Sequence, residues 1–429
     1  MKEEFLHYIW QHQYFDKTSL QTADGEAVQV LRVGYYNTDA GPDFREAIIR
    51  IGEVEWSGSV EVHLRASDWQ RHLHQVDQKY DQVVLHVVWE ADVPISRTDG
   101  SLVPTLELKG RVALHLLHTY QQLQQSRNNI PCAGFWAQVP EITKTAMLNR
   151  TLVERLELKG EEVLQLHRLY NHDWEQTAYH VLCKGFGFKI NQEAFERLAK
   201  ALPFSVVRKQ QSPLGVEALL FGQAGFLADA EGGEYGHQLT KEYTYLSHKY
   251  KLQDTAMQRH HWNFLRMRPA NFPTVRLAQL AAVLAQHSSI LAKLLEAPGI
   301  KAYEALFQAP VSEYWQQHYM FGRRMTVRQK SMGKGSAHNL IINVTVPLLA
   351  AYASYSGERS YLEKAVALLE GLREASNKVT RLYEELGWKA TSAADNQGAL
   401  GLYKLYCQPI NCLRCSIGNK IMKQTKPTA

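Results

Sequence analysis

The hydrophobic pattern of the chain changes near residue 110, and this change limits the folds that the chain can adopt. Before it, one helical stretch, EEFLHYIWQHQYF, precedes runs such as AVQVLRVGYYN and QVVLHVVWEAD, which have the alternation or β-branched content of strands. After it, nearly every segment has apolar residues at helical spacing, with short Gly or Pro breaks. The sequence predicts an α+β protein with a small α/β domain over residues 1–111 and a large all-helical domain over residues 112–418. The tail 419–429 is expected to be disordered.

Composition argues against a membrane protein. The longest apolar run, LIINVTVPLLAAYASY, is interrupted by Asn343, Thr345 and Pro347 and is too short to span a bilayer. The N-terminus, MKEEFLHYIW, has acids where a signal peptide would be basic. The net charge of +5 is compatible with a polyanionic partner without requiring one. We expect a cytoplasmic protein that has no membrane partner.

A predicted β-hairpin over residues 40–64, AGPDFREAIIRIGEVEWSGSVEVHL, carries acids that an ordinary hairpin does not need. Asp43 follows a Gly-Pro turn, and Glu61 and His63 end the second strand. Side chains two apart on a strand share a face, so Glu61 and His63 point the same way. A two-residue loop at 52–53 would pair residue 43 with residue 62 and send Asp43 to the opposite face. A three-residue loop, or one bulge, would pair residue 43 with residue 63 and unite the three.

The predicted order of helix, three strands, helix and strand, with this hairpin inside it, resembles the core of the PD-(D/E)XK nuclease superfamily. The resemblance implies that Asp43 and Glu61 hold Mg²⁺ or Mn²⁺ and that His63 replaces the lysine of the family as a metal or water partner. Lys109, in LELKG on a neighbouring strand, is a candidate for the missing catalytic cation. The alternative is that Asp43 caps a turn and Glu61 is a solvated strand residue.

Three further histidines lie near this hairpin in the sequence. The segment SDWQRHLHQVDQKY begins with a Ser-Asp cap and predicts a short helix. We expect Trp69 and Leu73 to face inward on it, with His72 and His74 outward. His86 lies in mid-strand among valines, where a satisfied core histidine is more common than a ligand.

The five cysteines suggest a second metal site. An odd number in a long chain that we expect to be cytosolic argues against a disulfide framework. Cys407, Cys412 and Cys415 lie within nine residues, and Cys132 is a candidate fourth ligand for Zn²⁺ or an iron–sulfur cluster. The alternative is a set of reduced, partly buried thiols. Cys183 lies in an amphipathic helix and is expected in the core.

The cysteine plan is similar to that of some exonucleases in the same superfamily, which bind an iron–sulfur cluster through three clustered cysteines and one distant one. In those enzymes the single cysteine precedes the nuclease core, whereas Cys132 follows it here.

Two basic stretches are candidates for contact with nucleic acid. FLRMRPANFPTVR places arginines near aromatic residues, and FGRRMTVRQKSMGKGS adds a second group. Arginine together with aromatic rings can bind phosphate and stack on bases. The alternative is a solvated basic face. The candidate residues are Arg266, Arg268, Arg276, Arg323 and Arg324.

Over nearly its full length the chain is similar to an uncharacterised bacterial family, domain of unknown function 2851. The matching segments include GPDF, GSVEVHLRASDW, RMRPANFPTVRLAQLA and YCQPINCLRCSIG. That resemblance implies no activity, so function rests on the residues themselves. They favour a metal-dependent nuclease acting on DNA. The alternatives are a catalytically inactive nucleic-acid-binding or scaffold protein that keeps the same fold, and a purely structural two-domain protein.

Overall fold

A continuous β-branched run forms the centre of a mixed sheet in the N-terminal region. A computed structural model describes residues 1–228, 233–373 and 376–424. The strands are β1 Val28–Arg32, β2 Tyr35–Tyr36, β3 Phe44–Ile51, β4 Val54–Arg65, β5 Val83–Glu90, β6 Thr105–Glu107, β7 His318–Met320 and β8 Arg323–Arg324. The first six form one sheet in the order β1-β3-β4-β5-β6, with β2 paired to β3, and β7 pairs with β8. The β1, β3 and β4 pairings are antiparallel, and β5 is parallel to both of its neighbours.

The remaining regular structure is helical. The helices are α1 Glu3–His12, α2 Asp68–Arg71, α3 Leu114–Gln124, α4 Glu141–Leu169, α5 Trp174–Phe186, α6 Gln192–Ala201, α7 Phe204–Val207, α8 Pro213–Gln223, α9 Gly233–Tyr250, α10 Pro273–Ala285, α11 Ile290–Glu296, α12 Ile300–Phe307, α13 Lys334–Leu340, α14 Val346–Ser356, α15 Arg359–Gly371, α16 Lys378–Glu384, α17 Ala393–Leu402 and α18 Ser416–Gln424. The expected division into an N-terminal sheet region and a helical remainder is confirmed.

The chain forms two compact units whose limits differ from the expected ones. The first comprises residues 1–147 together with the C-terminal segment from residue 402, and the second comprises residues 148–401. The boundary expected at residue 111 therefore lies inside the first unit, which also contains the C-terminal cysteines. Of the expected tail 419–429, residues 419–424 belong to α18, and residues 425–429 lie outside the described residues.

Each unit has its own apolar interior. In the first, β5 is buried along most of its length, as expected of a strand with neighbours on both sides and packed faces. In the second, α8 and α10 are buried almost all round, and their residues join one large core. No helix in the described part of the chain is long and apolar enough to cross a membrane.

Gly58 in β4 allows β5 to approach closely. A Cβ atom at this position would lie 2.5 Å from Gln82 O and 2.5 Å from Val84 Cγ1. We expect Gly58→Ala to destabilise the protein by about 1–3 kcal/mol, because overpacking forces a backbone shift. Thermal unfolding followed by circular dichroism measures this. Gly134→Ala is the matched control, since its Cβ would meet nothing within 4 Å; equal melting temperatures for the two variants would contradict the close approach.

Candidate functional site

A β-bulge decides which face of the sheet Asp43 occupies. The hairpin turns in two residues at 52–53, so Ile51 pairs with Val54 and Ala47 with Gly58. The register then shifts, and Phe44 pairs with Val60. The extra residue lies at Arg45–Glu46, where Glu46 adopts a positive φ of 57°. Continued by one residue, this register puts Asp43 opposite Glu61 rather than residue 62 or 63, so Asp43 shares a face with Glu61 and His63.

Asp43 and Glu61 are held side by side by reciprocal backbone contacts. The Asp43 N–H donates to Glu61 Oε2 at 3.0 Å, and the Val62 N–H donates to Asp43 Oδ2 at 3.0 Å. Asp43 remains partly exposed, whereas Glu61 is buried. The two carboxylates predicted from the hairpin therefore converge at one place on the sheet.

Helix α1 adds two polar side chains that the sequence reasoning missed. His7 Nε2 lies 3.1 Å from Asp43 Oδ2, and Glu3 Oε1 lies 3.9 Å from His63 Nε2. Glu3 and His7 are four residues apart and so share one helix face. That spacing in EEFLH was the available signal, on a helix whose apolar residues Phe5, Leu6 and Ile9 are buried.

A chain of imidazoles runs beside the two acids. His63 Nδ1 lies 2.9 Å from His86 Nε2, and His63 Nε2 lies 3.1 Å from His72 Nδ1. His74 Nε2 is 3.3 Å from Glu61 Oε1, outside hydrogen-bond geometry and without another partner. His63 Nε2 is 3.5 Å from the same Glu61 oxygen. We refer to Asp43, Glu61, His63, His72 and His74 as the acid–histidine pocket.

The expected outward orientation of His72 and His74 is wrong, and so is the inward orientation of Leu73. Helix α2 ends at Arg71, and Leu73 takes a positive φ of 63° and is exposed. This turn directs His74 into the interior and brings His72 against His63. Trp69 is fully buried, as expected. His86 is also fully buried, as expected of a core histidine, but it contacts His63 as well.

Burial controls the charge of these groups. Desolvation, and next the nearby Asp43 carboxylate, raise the pKa of Glu61 well above its ordinary value. Desolvation, and next the neighbouring histidines led by His86, lower the pKa of His63 to about 2. Burial lowers the pKa of His86 to about 3. The buried imidazoles are therefore neutral at pH 7 and offer lone pairs, which is the form that binds metal ions.

Among the described residues, one set of three potential ligand atoms lies within 4.8 Å of one another, and it comprises His63, His72 and His74. Lys109, the candidate catalytic cation, forms an exposed ion pair with Glu90, with Nζ 3.0 Å from Oε1. This pair engages the ammonium group that the sequence offered in place of the missing lysine.

The structure also brings four of the five cysteines near one another. Cys132, Cys407, Cys412 and Cys415 are buried free thiols of the first unit. Burial raises the pKa of Cys132 strongly, and the three other thiols raise it further. Cys183 is fully buried in α5 of the second unit, as expected for a core residue.

The candidate arginines differ in exposure. Arg266 and Arg268 are exposed in the segment before α10, and Arg323 and Arg324 are exposed on β8. Arg276 is 6% exposed inside the helical unit, so it is unavailable to a nucleic acid bound at the surface.

Comparison with known proteins gives one family and no function. A family model described as a protein of unknown function (DUF2851) matches residues 3–378. No curated protein and no solved structure matches the chain.

Proposed function

We propose that this chain, which belongs to the DUF2851 family of proteins of unknown function, is a metal-dependent nuclease that hydrolyses phosphodiester bonds in DNA at the acid–histidine pocket. The observation that carries the proposal is the convergence of Asp43 and Glu61 beside neutral imidazoles. Hydrolysis of a phosphodiester needs ligands for a divalent cation, a positioned water and neutralisation of phosphate charge. The pocket supplies the first of these from its own side chains.

The spacing of the donor atoms fits a single cation. The distances of 3.1, 3.3 and 3.5 Å that join Glu61, His63, His72 and His74 are close to the separation of about 3.0–3.4 Å between ligands around an ion with bonds of about 2.0–2.1 Å. His74 Nε2 is buried without a hydrogen-bond partner, as a nitrogen reserved for a ligand would be. A bound cation would polarise a phosphoryl oxygen and lower the pKa of bound water.

The protein residues have separate roles in this proposal. Asp43 and Glu61 supply the anionic oxygens, and the reciprocal backbone contacts fix their orientation. His63 and His74 add nitrogen ligands or position water. His86 accepts a hydrogen bond from His63 Nδ1 in the tautomer that leaves His63 Nε2 free to bind a ligand.

The mixed donor set favours Mn²⁺ over Mg²⁺, because Mg²⁺ prefers oxygen ligands and imidazole suits transition metals. We expect faster cleavage in Mn²⁺ than in Mg²⁺. We expect His63→Lys, which restores the superfamily residue, to shift the preference towards Mg²⁺ because one nitrogen ligand is removed. Parallel rate measurements in the two metals test this, with exposed His118→Lys as the control. Loss of cleavage in both metals would show instead that His63 is an indispensable ligand.

The thiols are proposed to hold a second inorganic group, Zn²⁺ or an iron–sulfur cluster. Four thiolates around one zinc ion lie about 3.8 Å apart, given Zn–S bonds of about 2.3 Å. Since no three of the four described sulphur atoms lie within 4.8 Å of one another, their spacing favours a cluster, in which each thiolate binds its own iron. Free cysteines also agree with the proposed cytoplasmic location.

The proposed partner is DNA, bound through its phosphates by Arg266, Arg268, Arg323 and Arg324. An inactive nucleic-acid-binding or scaffold protein is the second candidate. The observations that favour it are the histidine at position 63 and the engagement of Lys109 by Glu90. Cleavage and binding assays on the same protein separate the two candidates, since the second predicts DNA binding without hydrolysis.

A further inference from the structure

The helical unit contains a buried guanidinium group that has no carboxylate partner. Arg276 of α10 is 6% exposed. Its Nη1 donates to Gln279 Oε1 at 2.9 Å, and its Nη2 donates to Asn271 Oδ1 at 2.7 Å and to Ser336 Oγ at 3.1 Å. All three acceptors are neutral, and among the described residues no acid forms an ion pair with Arg276. Buried charges in proteins are normally paired, so this cation lacks its expected counter-ion.

The guanidinium group also keeps unused donors. Its Nε is buried without a hydrogen-bond partner, and the three bonds above engage three of its five N–H groups. The ring of Phe188 lies 4.2 Å from the guanidinium carbon and compensates part of the charge. Burial lowers the pKa of Arg276 to about 10, which leaves it charged at neutral pH.

Arg276 lines a cavity of about 360 Å³. The walls are largely apolar and include Phe186, Ile190, Phe195 and Met267. Such a cavity is at the small end of the range for ligand sites, which combine apolar walls with a few polar groups that fix orientation. A bare inorganic ion has no use for these walls.

We propose that this cavity binds a small organic anion, an oxyanion group on an apolar body, with Arg276 as its counter-ion. The oxyanion accepts the unused N–H donors of Arg276, and the apolar body contacts Phe186, Phe195 and Met267. The ligand is either a carboxylate or a phosphate ester, since both present oxygens to guanidinium. The site lies in the second unit and does not depend on the proposed nuclease activity.

Thermal-shift and calorimetric titration of the full chain test this with four probes. We expect benzoate or phenyl phosphate to bind and to raise the melting temperature, and the comparison of the two identifies the preferred oxyanion. Neutral benzamide and inorganic phosphate are expected to bind at least about tenfold more weakly than the preferred probe, because each lacks one half of the recognised ligand. Failure of both organic anions to bind, or equal binding of benzamide, would overturn the proposal.

Two variants locate the binding. Arg276→Gln is expected to weaken binding at least about tenfold, the effect of losing a charge-assisted hydrogen bond. Gly335→Phe fills the cavity from its rim without a clash, since a Cβ there meets nothing within 4 Å, and is expected to abolish binding. It decides the question if Arg276→Gln fails to fold. Exposed Arg208→Gln is the control. Unchanged affinity in folded Arg276→Gln, or in Gly335→Phe, would overturn the proposal.

Discussion

Asp43→Asn and Glu61→Gln are each expected to lower the rate of Mn²⁺-dependent DNA cleavage by more than about 100-fold. Both changes keep the size of the side chain and the acceptor oxygen that faces a backbone N–H, so the hairpin contacts at 3.0 Å persist. Each removes an anionic ligand of the proposed cation. Loss of a group that only orients a ligand already costs about 10–100-fold in metal affinity or activity, so loss of a ligand itself should cost more.

The matched controls are Asp39→Asn and Glu55→Gln, two exposed acids on the same part of the chain. They change the net charge equally and are expected to retain wild-type rates. Circular dichroism and DNA binding should be unchanged in all four variants. If the controls lose activity as much as Asp43→Asn and Glu61→Gln do, the effect comes from net charge and not from the pocket.

Cys412→Ser is expected to remove the metal or cluster held by the four thiols, and to lower the melting temperature with it. Binding of a structural metal contributes directly to folding free energy, so its loss destabilises the segment that supplies the ligands. Here that segment is the turn at Cys412–Arg414 together with α18, which packs so closely that a Cβ at Gly418 would lie 2.0 Å from Cys412 O. Anaerobic purification, metal analysis and visible absorption measure the loss.

Cys183→Ala is the control for the cysteine experiment, because Cys183 belongs to the core of the other unit. It is expected to keep the full metal content. Well-folded wild-type protein that contains neither zinc nor iron after anaerobic purification would show that the four thiols are merely buried.

The parts of the fold that follow from local pattern could be predicted from sequence. The β-branched run of β5 and the helical remainder depend on hydrophobic periodicity, which each segment carries by itself. The unit boundary could not be predicted in the same way. The return of the chain at residue 402 to the first unit depends on tertiary contacts that no local pattern records.

The acid–histidine pocket was partly predictable. Asp43, Glu61 and His63 stand out by residue type, but their convergence depends on a bulge at Glu46, where neither glycine nor asparagine signals a positive φ. His72 and His74 were assigned outward because the helix was expected to continue through Leu73. The early end of α2 reverses both orientations, and nothing in HLHQ marks it.

Arg276 shows a different limit of sequence reasoning. Its neighbours in RMRPANFPTVR suggested a basic surface, and Arg266 and Arg268 are indeed exposed. Arg276 lies three residues into α10, on a helix that is buried almost all round. A charged residue in such a helix can be recognised as buried only when the packing of the helix is known.

The central claim is tested most directly by incubating the wild-type protein with end-labelled single-stranded, double-stranded and branched DNA in Mn²⁺, Mg²⁺ or a chelator, and following product formation over time. The account predicts cleavage of at least one DNA form in Mn²⁺, slower cleavage in Mg²⁺ and none in the chelator. DNA that is bound but stays intact in both metals would contradict it and establish the inactive nucleic-acid-binding protein instead.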